Sequence, residues 1–193
     1  MTLTLLKRRD VVAELLQDRG DTIVVTGLGS PSYDVMAAGD HDLNYYLWGA
    51  MGGAAMVGLG LAKSRPDHNV LVVTGDGEML MAMGAFATIA VQAPKNLTIA
   101  ILDNGYYGET GMQLSHAGRG VELDKVAASV KFDWTARITD MAGVHDLRER
   151  VHARNTLNCA TIAIDAVEVP RVLPSRDGVY IKNRVMAALG QKL

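Results

Sequence analysis

Short runs of apolar residues alternate along the chain with stretches in which apolar positions recur three and four residues apart. The runs are rich in Val, Ile and Leu, which is typical of strands buried on both faces, whereas the wider spacing is typical of helices with one buried face. We predict strands at residues 22–26, 41–47, 70–74, 97–102, 134–138 and 160–164. We predict helices at residues 5–20, 52–62, 78–91, 124–130, 141–155 and 177–189. This alternation predicts an α/β fold, with three α/β/α layers around a central, mainly parallel sheet of about six strands.

Length and composition narrow the class of protein. With 193 residues, 49% of them apolar, residues 1–193 are expected to form a single domain with a sizeable core. The net charge of −2 offers no attraction for nucleic acid. The single cysteine, Cys159, excludes an internal disulfide or a CxxC site, and we expect it in the core. No apolar run is long enough to span a membrane, and residues 1–6 are too short for a signal peptide, so we expect a cytoplasmic protein.

Polar residues flanked by glycine follow two of the predicted strands. Gly75-Asp76-Gly77 comes directly after the strand at 70–74, and Asp103-Asn104-Gly105 follows the strand at 97–102. Ligands of open α/β sheets bind at the carboxyl ends of the strands. The oxygens of Asp76 and Asn104, with a backbone carbonyl just after Asn104, suit Mg²⁺, and glycines let a phosphate approach the backbone. The alternative is two ordinary turns, with Asp76 capping a helix.

The spacing of these two segments resembles a known cofactor motif. GDGE at 75–78 is followed by the 26 residues 79–104, which end in Asp-Asn. This is similar to the motif of thiamine diphosphate (ThDP)-dependent enzymes. Residues 104–113, NGYYGETGMQ, look most like the diphosphate-binding, β-type subunit of sulfopyruvate and phosphonopyruvate decarboxylases. The resemblance implies the ThDP-binding fold, with Mg²⁺ held by Asp76, the Asn104 side chain and the Tyr106 carbonyl.

A second match lies upstream, at Trp48-Gly49-Ala50-Met51-Gly52. It is similar to the family segment that grips the aminopyrimidine ring. The resemblance implies that the Gly49 carbonyl accepts a hydrogen bond from this ring, while Met51 donates to it from the backbone and wedges the cofactor with its side chain. For Ser30, after the strand at 22–26, contact with the diphosphate and plain capping of a helix remain alternatives. The other residues expected at the cofactor are Gly75, Gly77, Glu78, Tyr107 and Gly108.

The segment after Tyr107 lacks periodicity and is rich in Gly, Ser and His, so we interpret it as an active-site loop. His116 and Glu109 are its candidate catalytic residues. His116 and Arg119 are candidates for binding an anionic group of the substrate. The alternative for each of them is a solvated loop residue. The cations at Lys7, Arg8 and Arg9 are interpreted as a solvated helix face.

The resemblance also implies a partner. In the family, an activating glutamate lies in a second, pyrimidine-binding domain, for which this chain has no residues left. We therefore expect a pyrimidine-binding α-type subunit, in an α₂β₂ or larger assembly. Met79 and Met83 share a face of the helix predicted at 78–91, which suits either the core or a subunit interface.

The function implied is decarboxylation of a small anionic 2-oxoacid, 3-sulfopyruvate first and phosphonopyruvate next. A carboligase or lyase on the same scaffold, and a non-catalytic ThDP-binding regulatory subunit, remain alternatives.

Overall fold

A computed structural model describes residues 5–192, so Met1–Thr4 of the first segment and Leu193 lie outside the described residues. Six strands form one parallel sheet in the order β2-β1-β3-β4-β8-β7, and two short strands form a separate antiparallel hairpin. The strands of the sheet are β1 Ile23–Thr26, β2 Asn44–Tyr46, β3 Val70–Gly75, β4 Leu97–Asp103, β7 Trp134–Ile138 and β8 Asn158–Ala163. The hairpin strands are β5 Tyr106–Tyr107 and β6 Gln113–Leu114. The predicted α/β fold is confirmed, and its sheet is parallel throughout.

Helices connect the strands and cover both faces of the sheet. They are α1 Arg8–Leu15, α2 Ser30–Ala37, α3 Ala54–Ser64, α4 Asp76–Met81, α5 Ala85–Gln92, α6 Leu123–Ser129, α7 Met141–Ala153 and α8 Gly178–Ala188. Parallel neighbours need such crossovers, because the chain must return to the starting edge before each new strand.

The core divides into two apolar clusters, one on each face of the sheet. One contains Phe86 and Phe132, whose rings meet edge to face with centroids 5.6 Å apart. The other contains residues of α1 and α7, such as Leu15 and Leu147. Every residue of β4 is buried, which explains why this strand is a continuous apolar run.

The helix predicted at 78–91 is wrong in one respect, because the structure breaks it into α4 and α5. Tight i→i−3 bonds replace the α-helical pattern between them, from Ala85 N to Ala82 O and from Phe86 N to Met83 O. The tighter turn brings Phe86 fully into the core. Met79 and Met83 therefore do not share one helix face as predicted, since Met79 is buried whereas Met83 is 43% exposed.

Two predictions at the start of the chain are also corrected. The cations at 7–9 form a solvated face only in part, because Lys7 is exposed whereas Arg8 is buried, with 9% of its surface exposed. The Nε atoms of Arg8 and Arg9 lie 3.4 and 3.3 Å from the buried carboxylate of Asp34. Ser30 does not cap α2, because it is the first helical residue and the N-cap is Gly29. Ser32 makes the local contact instead, donating to the Gly27 carbonyl at 2.7 Å.

Within residues 5–192, no helix is both long and apolar enough to cross a membrane. The same residues contain no cluster of three or more His, Cys, Asp or Glu side chains in a metal-binding arrangement.

Candidate cofactor site at the carboxyl edge of the sheet

The turn after β3 and the loop after β4 lie side by side. The strands are parallel neighbours in register, with Thr74 opposite Ile101 and Gly75 opposite Leu102. Asp76 and Asn104 therefore emerge at the same edge of the sheet. This is the arrangement that the two glycine-flanked segments predicted.

Asp76 is buried, with 3% of its surface exposed. It is the first residue of α4 and not its N-cap, which is Gly75. The Ser115 hydroxyl donates to its Oδ2 at 2.5 Å. Burial raises the pKa of the Asp76 carboxyl to about 6, and the neighbouring Asp103 charge adds to the rise. A cation would relieve both effects, so the donor set fits a metal ion.

Asp103 and Asn104 shape the backbone after β4. Asp103 Oδ1 accepts from Gly105 N at 3.0 Å, and its Oδ2 accepts from Arg137 Nη1 at 3.1 Å. Asn104 Oδ1 accepts from Tyr106 N at 2.9 Å. An amide oxygen has a second lone pair, so this bond leaves Asn104 one acceptor position.

The Tyr106 carbonyl points away from the hairpin partner. Its neighbours point inward, because the Gly105 carbonyl accepts from Ser115 N at 2.9 Å and the Tyr107 carbonyl from Met112 N at 3.0 Å. Successive carbonyls of an extended strand alternate in direction, which leaves the Tyr106 carbonyl outside this ladder. It is therefore available as a ligand.

Tyr107 packs on the turn after β3. A Cβ added to Gly77 would lie 2.7 Å from the Tyr107 ring, so glycine is needed for this approach. The Tyr107 hydroxyl is 2.7 Å from His116 Nδ1, and both residues lie at the surface of the site. The structure thus brings the candidate His116 to the cofactor edge, whereas Arg119 lies exposed in the turn at Ala117–Arg119.

Glu78 lies beneath the edge, with 5% of its surface exposed. Its Oε2 accepts from Thr74 Oγ1 at 3.0 Å and its Oε1 from Gly52 N at 3.2 Å. Burial raises the pKa of the Glu78 carboxyl, opposed by these donors. The carboxylate of Glu78 is thus hydrogen-bonded to protein groups. Its direct contact with a cofactor stays a prediction.

The segment Trp48–Gly52 meets the turn after β3, since Gly52 N donates to Glu78 Oε1. Gly49 and Gly52 have φ of 70° and 88°, a backbone region that glycine adopts without strain. Trp48 Nε1 donates to the Ser175 carbonyl at 2.7 Å, which fixes the start of the segment. The Met51 side chain is 41% exposed and is free to contact a ligand.

An open cleft at this edge is lined by Ser30, Asn104, Gly108 and Glu109, all of them expected at the site from the sequence. Arg8 and Arg171 line it as well. Glu109 lies against Gly29, and its Oε2 is 3.8 Å from Arg171 Nη2. Asp165 and Glu168 line the cleft too, so its lining carries charges of both signs.

Three residues of the site were not singled out from the sequence: Thr74, Ser115 and Arg137. Ser115 is fully buried and contacts Asp76 across 39 positions of the chain. Arg137 contacts Asp103 across 34 positions. Neither pair has a local signal, because their proximity depends on the sheet order.

Comparison with known families decides the assignment. The family described as "Thiamine pyrophosphate enzyme, C-terminal TPP binding domain" matches residues 29–171. The chain belongs to this family. Thiamine pyrophosphate is another name for thiamine diphosphate, so the chain is a ThDP-binding domain. The match includes Ser30, Gly49, Met51, the turn after β3 and the loop after β4.

Curated relatives of the ThDP-binding domain include decarboxylases. Sulfopyruvate decarboxylase subunit beta of Methanocaldococcus jannaschii is 38% identical over 128 residues, which cover 66% of this chain and 68% of the relative. Sulfopyruvate decarboxylase of Methanosarcina acetivorans is 38% identical over 78% of this chain and 39% of its own length. Phosphonopyruvate decarboxylase of Streptomyces viridochromogenes is 35% identical over 80% and 40%. The chain thus spans about two fifths of the two longer relatives.

Solved structures share the fold of the ThDP-binding domain. Benzoylformate decarboxylase from Polynucleobacter necessarius superposes with a TM-score of 0.70 at 15% identity, covering 86% of this chain and 34% of that chain. An enzyme from Mycobacterium smegmatis described as thiamin diphosphate-dependent superposes with a TM-score of 0.72 at 19% identity, covering 85% and 32%. At these identities the likeness establishes the fold.

Proposed function

We propose that this chain is the diphosphate-binding, β-type subunit of a ThDP- and Mg²⁺-dependent 2-oxoacid decarboxylase. The observation that carries the proposal is the pairing of Asp76 and Asn104 at adjacent strand ends within a chain resembling sulfopyruvate decarboxylase subunit beta. ThDP supplies an electron sink for the loss of CO₂ from a 2-oxoacid. The protein contributes the position and surroundings of the cofactor.

Asp76, the Asn104 side-chain oxygen and the Tyr106 carbonyl would hold Mg²⁺, and phosphate oxygens would complete its preferred set of about six ligands. The hydrogen bond from Ser115 orients Asp76 before any metal arrives. Gly49 and Met51 would contact the pyrimidine side of the cofactor. Gly75, Gly77 and Gly108 would let the backbone approach the diphosphate.

3-Sulfopyruvate is the proposed substrate, because relatives named for it match both as a separate subunit and within a longer chain. Phosphonopyruvate is the second candidate, favoured by the relative from Streptomyces viridochromogenes. Both are three-carbon 2-oxoacids with a second anionic group. His116 would contact this group at the surface of the site, and Glu109 would contact the substrate from the cleft.

The proposed partner is a pyrimidine-binding α-type subunit that supplies the activating glutamate. Relatives named "subunit beta" support the existence of a second chain. The lone chain is expected to bind ThDP weakly or not at all, because the pyrimidine side of the site would lack one wall. Tight binding of ThDP to the lone chain in calorimetry would contradict this expectation.

The test is a decarboxylation assay with two chains. This chain is combined with a pyrimidine-binding subunit encoded beside it, with Mg²⁺ and ThDP, on sulfopyruvate, phosphonopyruvate and pyruvate. We expect CO₂ release from sulfopyruvate that needs both chains and falls at least about 100-fold in Asp76→Ala, since a metal ligand is lost. Asp146→Asn is the control, because this carboxylate lies exposed on α7 in a pair with Arg150.

Each other outcome has a definite meaning. Turnover of phosphonopyruvate alone would replace the substrate and keep the reaction. Bound cofactor without CO₂ release from any of the three acids would overturn the decarboxylase proposal in favour of carboligation or a regulatory role. Full activity in Asp76→Ala would overturn the metal site.

A further inference from the structure

The carboxylate of Glu78 connects three segments of the cofactor edge. It accepts hydrogen bonds from the Thr74 hydroxyl at 3.0 Å and from Gly52 N at 3.2 Å. The backbone amides of Leu28 and Ala54 also face it and oppose the rise in the pKa of the Glu78 carboxyl that burial causes. One side chain is therefore shared by the loop after β1, the segment leading into α3 and the end of β3.

The surroundings leave this carboxylate almost no freedom. An ideal Cβ built on Gly27 would lie 1.4 Å from Glu78 Oε2, so any side chain at position 27 would displace the carboxylate. Glu78 is also 5% exposed, which removes competition from water. In such surroundings a hydrogen bond is electrostatically stronger than in water, and leaving a buried acceptor without its donor is costly.

The two hydrogen-bond donors, Gly52 N and the Thr74 hydroxyl, and the two further amides that face the carboxylate are all neutral. Burying a carboxylate among neutral donors costs free energy that an apolar residue would not. If position 78 only filled the core, Leu or Met would be the more stable choice. The position of the donors, on loops that carry Ser30 and Met51, suggests what the carboxylate does instead.

We propose that Glu78 is a positioning residue, which fixes the loop after β1 and the Trp48–Gly52 segment relative to the Asp76 turn. In the assembled enzyme this would hold the groups facing the diphosphate and those facing the pyrimidine at one separation. Glu78 acts on the cofactor through these loops. This inference rests on the proposed function only in the statement that these loops hold the cofactor.

The first test is amide hydrogen exchange in the free chain. Glu78→Gln keeps one acceptor oxygen but places an NH₂ group where the other lies, and this group repels whichever of the amides of Leu28, Gly52 and Ala54 faces it. We expect exchange of these amides to rise about tenfold or more, with amides of the central strand β4 unchanged. Glu122→Gln, in an exposed pair with Lys125, is the matched control.

Two further variants separate positioning from stability. Thr74→Val removes the donor on the strand and leaves the loop contacts, so it should lower the melting temperature without faster exchange at Leu28 or Gly52. Gly27→Ala pushes the carboxylate aside without removing its charge, and should raise exchange at the loops as Glu78→Gln does. It also carries the test if Glu78→Gln does not fold.

The second test is the affinity of the two-chain assembly for ThDP with Mg²⁺, measured by calorimetry. We expect the dissociation constant to rise about tenfold or more in Glu78→Gln and Gly27→Ala but not in Thr74→Val. Exchange that rises equally in loops and strands, or not at all, would overturn the positioning role. Local exchange with unchanged cofactor affinity would overturn its link to the cofactor. The exchange result stands even if the assembly is not a decarboxylase, because it needs neither substrate nor partner.

Discussion

Two neighbouring segments of the cofactor edge differ in how they are held. The turn after β3, residues 75–78, is anchored by buried carboxylates, since Asp76 and Glu78 are 3% and 5% exposed. The loop after β4, residues 104–120, is largely exposed and is attached to the turn through the buried Ser115. A close backbone contact between Gly105 and Gly118 closes the loop on itself.

This difference separates a fixed part of the site from an adjustable one. Buried hydrogen bonds to ionised groups hold one geometry, whereas an exposed loop with few ties opens at low free-energy cost. We infer that the turn after β3 is organised before ligands bind. The loop, which carries His116 and Glu109, can adjust to a substrate.

Among changes that test this difference, Gly118→Ala is expected to have the largest effect on the free energy of unfolding. The new Cβ would lie 2.3 Å from the Gly105 carbonyl oxygen, which is backbone and cannot move aside cheaply. We expect a loss of about 3 kcal/mol in the free energy of unfolding, measured with urea, together with faster amide exchange at Ser115. Gly178→Ala is the control, since nothing lies within 4 Å of its Cβ. A loss under about 1 kcal/mol would mean that the loop already opens freely.

An intermediate effect is expected from Ser115→Ala. The change leaves the buried Asp76 carboxylate without its side-chain donor and removes the acceptor of Gly118 N. We expect a loss of about 2 kcal/mol in the free energy of unfolding. Ser129→Ala, whose hydroxyl is exposed on α6, should change stability by less than about 0.5 kcal/mol. Equal effects of the two changes would show that Ser115 does not tie the loop to the turn.

The smallest effect is expected from Tyr107→Phe. It removes the hydroxyl near His116 but keeps the ring that packs on Gly77. Because this hydrogen bond is exposed to water, we expect a change of less than about 0.5 kcal/mol in the free energy of unfolding. A loss above about 1 kcal/mol in thermal or urea unfolding would place the pair among the fixed contacts.

The turn after β3 was predictable from the sequence because its signals are local. A buried strand gives an apolar run, and the residues that follow it must emerge at the carboxyl edge. Asp76 and Asn104 were expected at the same edge for this reason, and the register of β3 and β4 brings them to it. The comparison with known families then confirmed the cofactor class that these residues had suggested.

The contacts that hold the loop were not predictable, since they join distant positions. Ser115 and Asp76 are 39 residues apart. The same is true outside the loop, where Arg9 and Asp34 are 25 residues apart. The break between α4 and α5 was not predicted either, for a related reason. The apolar pattern of 78–91 fits one helix, whereas the contact of Phe86 with Phe132 joins positions that are distant along the chain.

The parallel order of the sheet also governs how the chain reaches its native state. Strand β4 pairs with β8, and Asn158 contacts Thr98 across 60 positions of the chain. During synthesis, the edge of β4 that pairs with β8 therefore stays unpaired until residues 158–163 have left the ribosome. Strands that are far apart in sequence pair slowly, and an unpaired strand edge can associate with other chains in the meantime. Slow translation at low temperature should raise the yield of folded protein, because it limits the concentration of chains with an unpaired β4 edge.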